Sequence, residues 1–180
     1  LLSNLKNLGL GGNQFTGNLP PEIGDLSNLE QLWLSTNSLS SNIPSELGQL
    51  QKLTHLFIAE NNFSGSLPPE LSQLNSLRYW DLSDNNLSGC YHPDLAVLCT
   101  NLDANHSTNE RVNYNNNFDV NWEDFCNNTS PACDCRYVDS LALVKLYHAT
   151  DGANWNITWD LTQPYTSWYG LVFNADACWR

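Results

Sequence analysis

The stretch LSNLEQLWLSTNSLSSNIP, residues 26–44, decides the fold. Its apolar positions are Leu26, Leu29, Leu32, Leu34, Leu39 and Ile43, with Asn37 between them and Pro44 at the end. The same spacing occurs 24 residues upstream, at Leu2, Leu5, Leu8, Leu10, Asn13, Phe15, Gly17, Leu19 and Pro20. It recurs 24 residues downstream, at Leu50, Leu53, Leu56, Ile58, Asn61, Phe63, Gly65, Leu67 and Pro68. A fourth unit gives Leu74, Leu77, Trp80, Leu82, Asn85, Leu87 and Gly89. A fixed period of this length belongs to a solenoid of short stacked coils. No coil buries its apolar side alone, so the coils must stack. A stack presents an extended surface suited to recognition.

Each position has a physical job. The L-x-L pair sends two side chains of a short strand into the core, because strand side chains alternate faces. The asparagine that follows turns the chain, and its amide satisfies backbone groups that would otherwise be buried without partners. Gly17, Gly65 and Gly89 permit backbone angles that other residues resist. Ser41 stands at that position in the second unit. The proline after Leu or Ile lacks an N–H and suits an edge or a helical-turn start.

The N-x-L-x-G-x-I-P extension resembles the plant-specific class of leucine-rich repeats. That class includes receptor-kinase ectodomains and polygalacturonase-inhibiting proteins. The resemblance covers residues 2–93, about half the chain. It implies an α/β solenoid, right-handed, with short parallel strands on a concave face. It also implies a second short strand after N-x-L on one flank, and 3₁₀ or helical turns on the convex side.

The formal net charge is −12. This excludes nucleic acid and anionic membranes as natural partners. A protein or glycan ligand, neutral or cationic, fits better. No run of about 18 apolar residues occurs, so no membrane insertion is expected. The chain starts in mid-repeat, as a mature or excised piece of a longer protein would. There is no G-x-S-x-G, H-E-x-x-H, P-loop or dinucleotide fingerprint. The expectation is therefore no enzyme, no cofactor and no metal.

All six cysteines follow the regular units: Cys90, Cys99, Cys126, Cys133, Cys135 and Cys178. An even number points to disulfides that staple caps, hence to an oxidising compartment. Proximity in sequence favours Cys90–Cys99, Cys126–Cys133 and Cys135–Cys178. A zinc site on Cys133, Cys135 and a histidine is the weaker reading, because no second C-x-x-C or H-x-x-x-H accompanies them. Sequons at Asn62, Asn86, Asn105, Asn127, Asn128 and Asn156 fit an extracellular or cell-surface address.

Residues 1–93 thus read as four repeats, and residues 94–137 as a C-terminal cap with a degenerate last repeat. Phe118, Trp122 and Phe125 supply this cap with aromatic residues. The stretch from Asn117 to Cys126 resembles caps of secreted leucine-rich repeat proteins from marine bacteria and algae. Residues 138–180 carry apolar residues at helical spacing, Leu141, Leu143, Val144, Leu146 and Tyr147. Asp139 or Ser140 suits the N-cap and Gly152 the exit. Trp155, Trp159 and Trp168-Tyr-Gly follow. This segment resembles the N-terminal cap of the same repeat class, placed as if a second repeat domain followed. An uncovered first coil and a cap without repeats are complementary. The expectation is a swapped homodimer or a head-to-tail assembly through residues 138–180 and the first repeat.

Outward-facing strand residues form columns. Asn7, Gln31, His55 and Tyr79 make one, and Gly9, Trp33, Phe57 and Asp81 the next. Glu60 and Asp84 lie in a further column with Gly12 and Thr36. Trp33, Phe57, His55 and Tyr79 therefore cluster on one exposed face, with Gln31, Glu60, Asp81 and Asp84 beside them. Contiguous exposed aromatic residues mark binding patches. The function expected is extracellular recognition of protein or carbohydrate through this face. The alternative is a structural or adhesive spacer with no ligand of its own.

Overall fold

A computed structural model of the chain describes residues 2, 4–105 and 108–127. All of these lie in the first of the two units into which the chain divides, Leu1–Ala132. The helix expected after Asp139, its tryptophans, Cys133, Cys135, Cys178, Asn128 and Asn156 fall outside the described residues.

Four coils repeat one path of strand, second strand and 3₁₀ turn. β1 (Asn7–Gly9), β3 (Gln31–Trp33), β5 (His55–Phe57) and β7 (Tyr79–Asp81) form a parallel sheet in that order. β2 (Thr16–Asn18), β4 (Ser38–Asn42), β6 (Asn62–Gly65), β8 (Asn86–Gly89) and β9 (Asn117–Phe118) form a second parallel sheet. The 3₁₀ turns are Pro21–Asp25, Ser45–Gln49, Pro69–Gln73 and Pro93–Leu95. Pro21, Pro69 and Pro93 open three of them. There the missing N–H costs nothing and the ring pre-sets φ. The register steps by one repeat, with Leu8, Leu32, Leu56 and Trp80 in line. This is the α/β solenoid that the resemblance implies, including the second strand.

Leu29, Leu32, Leu34, Leu53, Leu56, Ile58, Leu77, Trp80 and Leu82 are all buried between coils. The first coil differs. Leu5, Leu8 and Leu10 are only partly buried, while Leu2 is 62% and Phe15 46% exposed. Among the described residues that coil has a neighbour on one side only. On the 3₁₀ edge the coils approach so closely that a Cβ on Gly48 would lie 2.2 Å from the Glu70 carbonyl oxygen.

An asparagine ladder ties the coils together. Asn61 Nδ2 donates to the carbonyls of Leu34 (3.0 Å), Ile58 (3.1 Å) and Ala59 (3.1 Å). Its Oδ1 accepts from Leu39 N at 3.0 Å. Asn85 repeats this pattern one coil on, with Phe63 N as donor at 2.9 Å. The residue before each ladder asparagine is left-handed: Gly12, Thr36, Glu60, Asp84 and Asn115 have φ between 51° and 68°.

A second left-handed position follows in each coil. Gly17, Gly65 and Gly89 have φ of 84°, 76° and 82°, and Ser41 takes 68° at the equivalent place. A Cβ in that region costs about 1–2 kcal/mol. Ser41→Gly is therefore expected to stabilise the protein by about 1 kcal/mol, less the extra freedom glycine gives the unfolded chain. Urea unfolding checks this, and a destabilised variant contradicts it.

The fifth coil was hidden by its spacing. Asn116 donates to Leu82 O (2.9 Å) and Val112 O (2.8 Å) and accepts from Leu87 N (3.0 Å). It is the next rung of the ladder. Leu82 N and Asp84 N donate to Arg111 O and Tyr114 O, as earlier coils donate to the coil that follows them. The run from Val112 to Asn116 holds one residue more than the run from Leu82 to Asn85. Asn113 lies within that longer run. It accepts from Tyr91 Oη (3.0 Å) and Trp122 N (2.8 Å) and donates to Val120 O (3.0 Å).

Behind it Tyr91, Phe118, Trp122 and Phe125 pack ring on ring, and Trp122 meets Trp80 edge-on at 5.0 Å. Burial pushes the Tyr91 phenol above its ordinary range, partly offset by its bond to Asn113. Three short helices follow the fourth coil, α1 (Ala96–Asn101), α2 (Asn109–Val112) and α3 (Trp122–Cys126), the last carrying Trp122 and Phe125 of the cluster.

The disulfides correct the pairing by proximity. Cys99 bonds to Cys126, with Cα atoms 5.4 Å apart. This excludes both Cys90–Cys99 and Cys126–Cys133. The reason is that α1 and α3 lie side by side, with the whole fifth coil threaded between them in sequence. Cys90 is also disulfide-bonded.

Candidate ligand-binding face

The first sheet places the aromatic residues as its register demands. Gln31, His55 and Tyr79 are paired across neighbouring strands, as are Trp33, Phe57 and Asp81. Their rings form a continuous surface. Trp33 and Phe57 have centroids 4.5 Å apart, and His55 and Tyr79 4.6 Å. Trp33 and His55 are near-parallel at 6.3 Å, and His55 and Phe57 stand 6.1 Å apart. Trp33 is 44% exposed, and Phe57, His55 and Tyr79 are half-buried.

Two polar contacts orient the rings. Trp33 Nε1 donates to Gln31 Oε1 at 3.3 Å. Thr54 Oγ1 lies 2.8 Å from Glu30 O and 2.8 Å from His55 Nδ1, and this contact anchors the imidazole.

The carboxylates separate into two kinds. Glu60 is exposed and accepts from Thr36 Oγ1 at 3.2 Å. Asp84 is half-buried and bonds Asn115. Asp81 departs from the expected exposed group. It is 7% exposed, accepts from Ser83 N (3.1 Å) and Ser83 Oγ (2.6 Å), and pairs with Arg111. Arg111 continues the column of Trp33, Phe57 and Asp81 onto the fifth coil. Its charge neutralises Asp81 and closes that end of the face.

Arg111, Tyr114 and Asn115 went unread in the sequence, because the interval from Asn85 to Asn116 is 31 residues instead of 24. Tyr114, 58% exposed, lies where the row ends. At the other end the columns start with Gly9, Gly11 and Gly12, so the aromatic surface begins beside an open glycine floor. Among the described residues no group of three His, Cys, Asp or Glu side chains is placed to hold a metal ion. None of the helices there is long and apolar enough to cross a membrane.

Comparison with known proteins places this architecture. The family model described as Leucine Rich Repeat matches residues 4–26, 28–50 and 52–74. A chain of the BIR3–SERK2 complex from Arabidopsis thaliana is 31% identical, with a TM-score of 0.56, over 64% of this chain and 57% of that one. The PEPR1–AtPEP1 structure gives 38% identity and a TM-score of 0.58, over 65% of this chain and 16% of that one. The HAESA receptor-kinase ectodomain from Arabidopsis thaliana, in complex with an IDA peptide hormone, gives 36% identity and a TM-score of 0.53, over 63% and 18%. This chain therefore spans between a sixth and about three fifths of those chains. No match was found among curated proteins. The period, the asparagine ladder that the period built and the likeness to these ectodomains agree, and residues 4–74 are leucine-rich repeats.

Proposed function

We propose that this is an extracellular recognition module whose first-sheet face binds an extended peptide or a peptide-like segment of a protein. The observation that carries the reading is the ring surface of Trp33, Phe57, His55 and Tyr79. A row of side chains in a parallel sheet repeats at roughly 4.8 Å, a step that suits successive contacts along an extended chain. Tryptophan and tyrosine are the residues most enriched at binding hot spots. The net charge of −12, with Glu60 and Asp84 beside the rings and Arg111 neutralised by Asp81, favours a neutral or cationic ligand. The relatives solved with AtPEP1 and with an IDA peptide hormone support a peptide. The disulfide Cys99–Cys126 supports an oxidising, extracellular setting.

The test is a screen of peptide and glycan arrays, followed by calorimetry on the best hit. In the Trp33→Ala, Phe57→Ala double variant, affinity is expected to fall at least tenfold, about 1.4 kcal/mol. Both rings lie outside the core, so the thermal midpoint should hold. A glycan hit that loses affinity in the variant moves the reading to carbohydrate. No hit on either array favours the spacer.

A further inference from the structure

We infer that Asn62 and Asn86 are a pair of N-glycosylation acceptors, side by side on the second-sheet flank, away from the first-sheet face. The chain is rich in asparagine, and the structure sorts these residues by what their amides do. Asn61 and Asn85 spend their side-chain nitrogens in three hydrogen bonds each and are buried. The next residue in each coil starts or precedes a strand of the second sheet. At Asn62 and Asn86 that residue is exposed, and its amide has no hydrogen bond among the described residues.

Strand alternation makes these two sequons compatible with the fold. The middle residues, Phe63 and Leu87, are 0% exposed and belong to the core. The outer pair of each triplet, Asn62 with Ser64 and Asn86 with Ser88, shares the opposite side. A glycan on the asparagine therefore projects outward without disturbing a packed residue. Ser64 and Asn86 are paired across β6 and β8, which puts the two sites on adjacent strands, roughly 4.8 Å apart in strand spacing.

The equivalent positions in the other coils lack a complete triplet. Gln14-Phe-Thr and Ser38-Leu-Ser have no asparagine, and Asn117-Phe-Asp has no hydroxyl. The two complete sequons thus fall on the neighbouring coils that carry Phe57 and Tyr79.

The co-substrate is an oligosaccharide linked to a lipid diphosphate. The amide nitrogen attacks C1 of the sugar, the N–C1 bond forms and the C1–O bond to phosphate breaks. The amide loses one proton and lipid diphosphate leaves. Sugar on this flank hydrates an edge made of Ser, Thr and Asn, and steers a ligand toward the other sheet.

The experiment is secretion of the full chain from a eukaryotic cell line. Glycosidase release in ¹⁸O-water with peptide mapping then marks each occupied asparagine. Label at both Asn62 and Asn86 is expected in most molecules. Ser64→Ala and Ser88→Ala should each remove one glycan from the intact mass with the unfolding midpoint unchanged, and Ser64→Thr should keep it. Label at only one of the two sites, at neither, or confined to Asn105, Asn127, Asn128 or Asn156, overturns the proposal.

Discussion

Asn61→Ala is expected to cost about 2–4 kcal/mol, far more than the same change at Asn13. The difference comes from burial. Each buried donor or acceptor left without a partner costs about 1–3 kcal/mol. At Asn61 the change strands the Leu39 N–H inside the stack and takes one of two donors from each of the Leu34, Ile58 and Ala59 carbonyls, which keep Asn37 Nδ2, Asn85 Nδ2 and Thr36 N. At Asn13 the bonds to the Leu10 and Gly11 carbonyls are exposed, and water replaces them. Asn37 lies between, because its acceptor oxygen serves the exposed Phe15 N while its nitrogen serves half-buried carbonyls. Urea unfolding of the series Asn13, Asn37, Asn61, Asn85 to alanine should show rising costs that level at the last two. A flat series would show that packing alone holds the coils and that the ladder contributes nothing specific. The bonds of Asn61 reach from its own coil to the previous one, so the variant also weakens coupling between neighbours. That coupling carries stability in a stacked repeat.

The repeat was legible because a solenoid writes its geometry into spacing. Once the period is known, strand register follows, and the columns of Trp33 with Phe57 and of His55 with Tyr79 follow from side-chain alternation. What spacing does not report is any contact made by a segment off the period. The fifth coil places Asn116 31 residues after Asn85, so the polar run from Asn113 to Asn121 read as cap and concealed a rung of the ladder. Asp81 read as an exposed carboxylate for the same reason. Its burial depends on Arg111, which enters the column only through that coil. The disulfide reading erred in a related way. Distance along the chain orders cysteines poorly when helices such as α1 and α3 pack together from opposite ends of an intervening coil. The left-handed Thr36, Glu60 and Asp84 gave no signal of their own. Only Gly12 in that column announces the angle, and the other side chains are held there by the hydrogen bonds of the coil.

Trp122→Ala is expected to cost about 3–5 kcal/mol, the range for emptying a buried tryptophan site, and to act first on the cap. Trp122 is fully buried, lies 5.0 Å from both Trp80 and Tyr91 and 5.3 Å from Phe125. Its loss opens a hole that Tyr91 and Phe125 cannot fill without leaving their own contacts. The Cys99–Cys126 bond survives the change and keeps α1 and α3 tethered. The cap should therefore loosen locally before the repeats unfold. Hydrogen exchange resolves this order: protection of the amides at Leu82, Asp84 and Leu87, which bond to the fifth coil, should fall while those at Leu34, Thr36 and Leu39 hold. Uniform loss of protection along the stack would contradict a separable cap. The consequence reaches the ligand face, because Arg111 sits on the coil that Trp122 backs. When that coil loosens, the Asp81 carboxylate loses its cation and must take up water. The end of the face beside Phe57 and Tyr79 then becomes more negative. Affinity for a cationic peptide should rise slightly or hold in the same variant that has lost stability, a separation that a merely misfolded protein would not show.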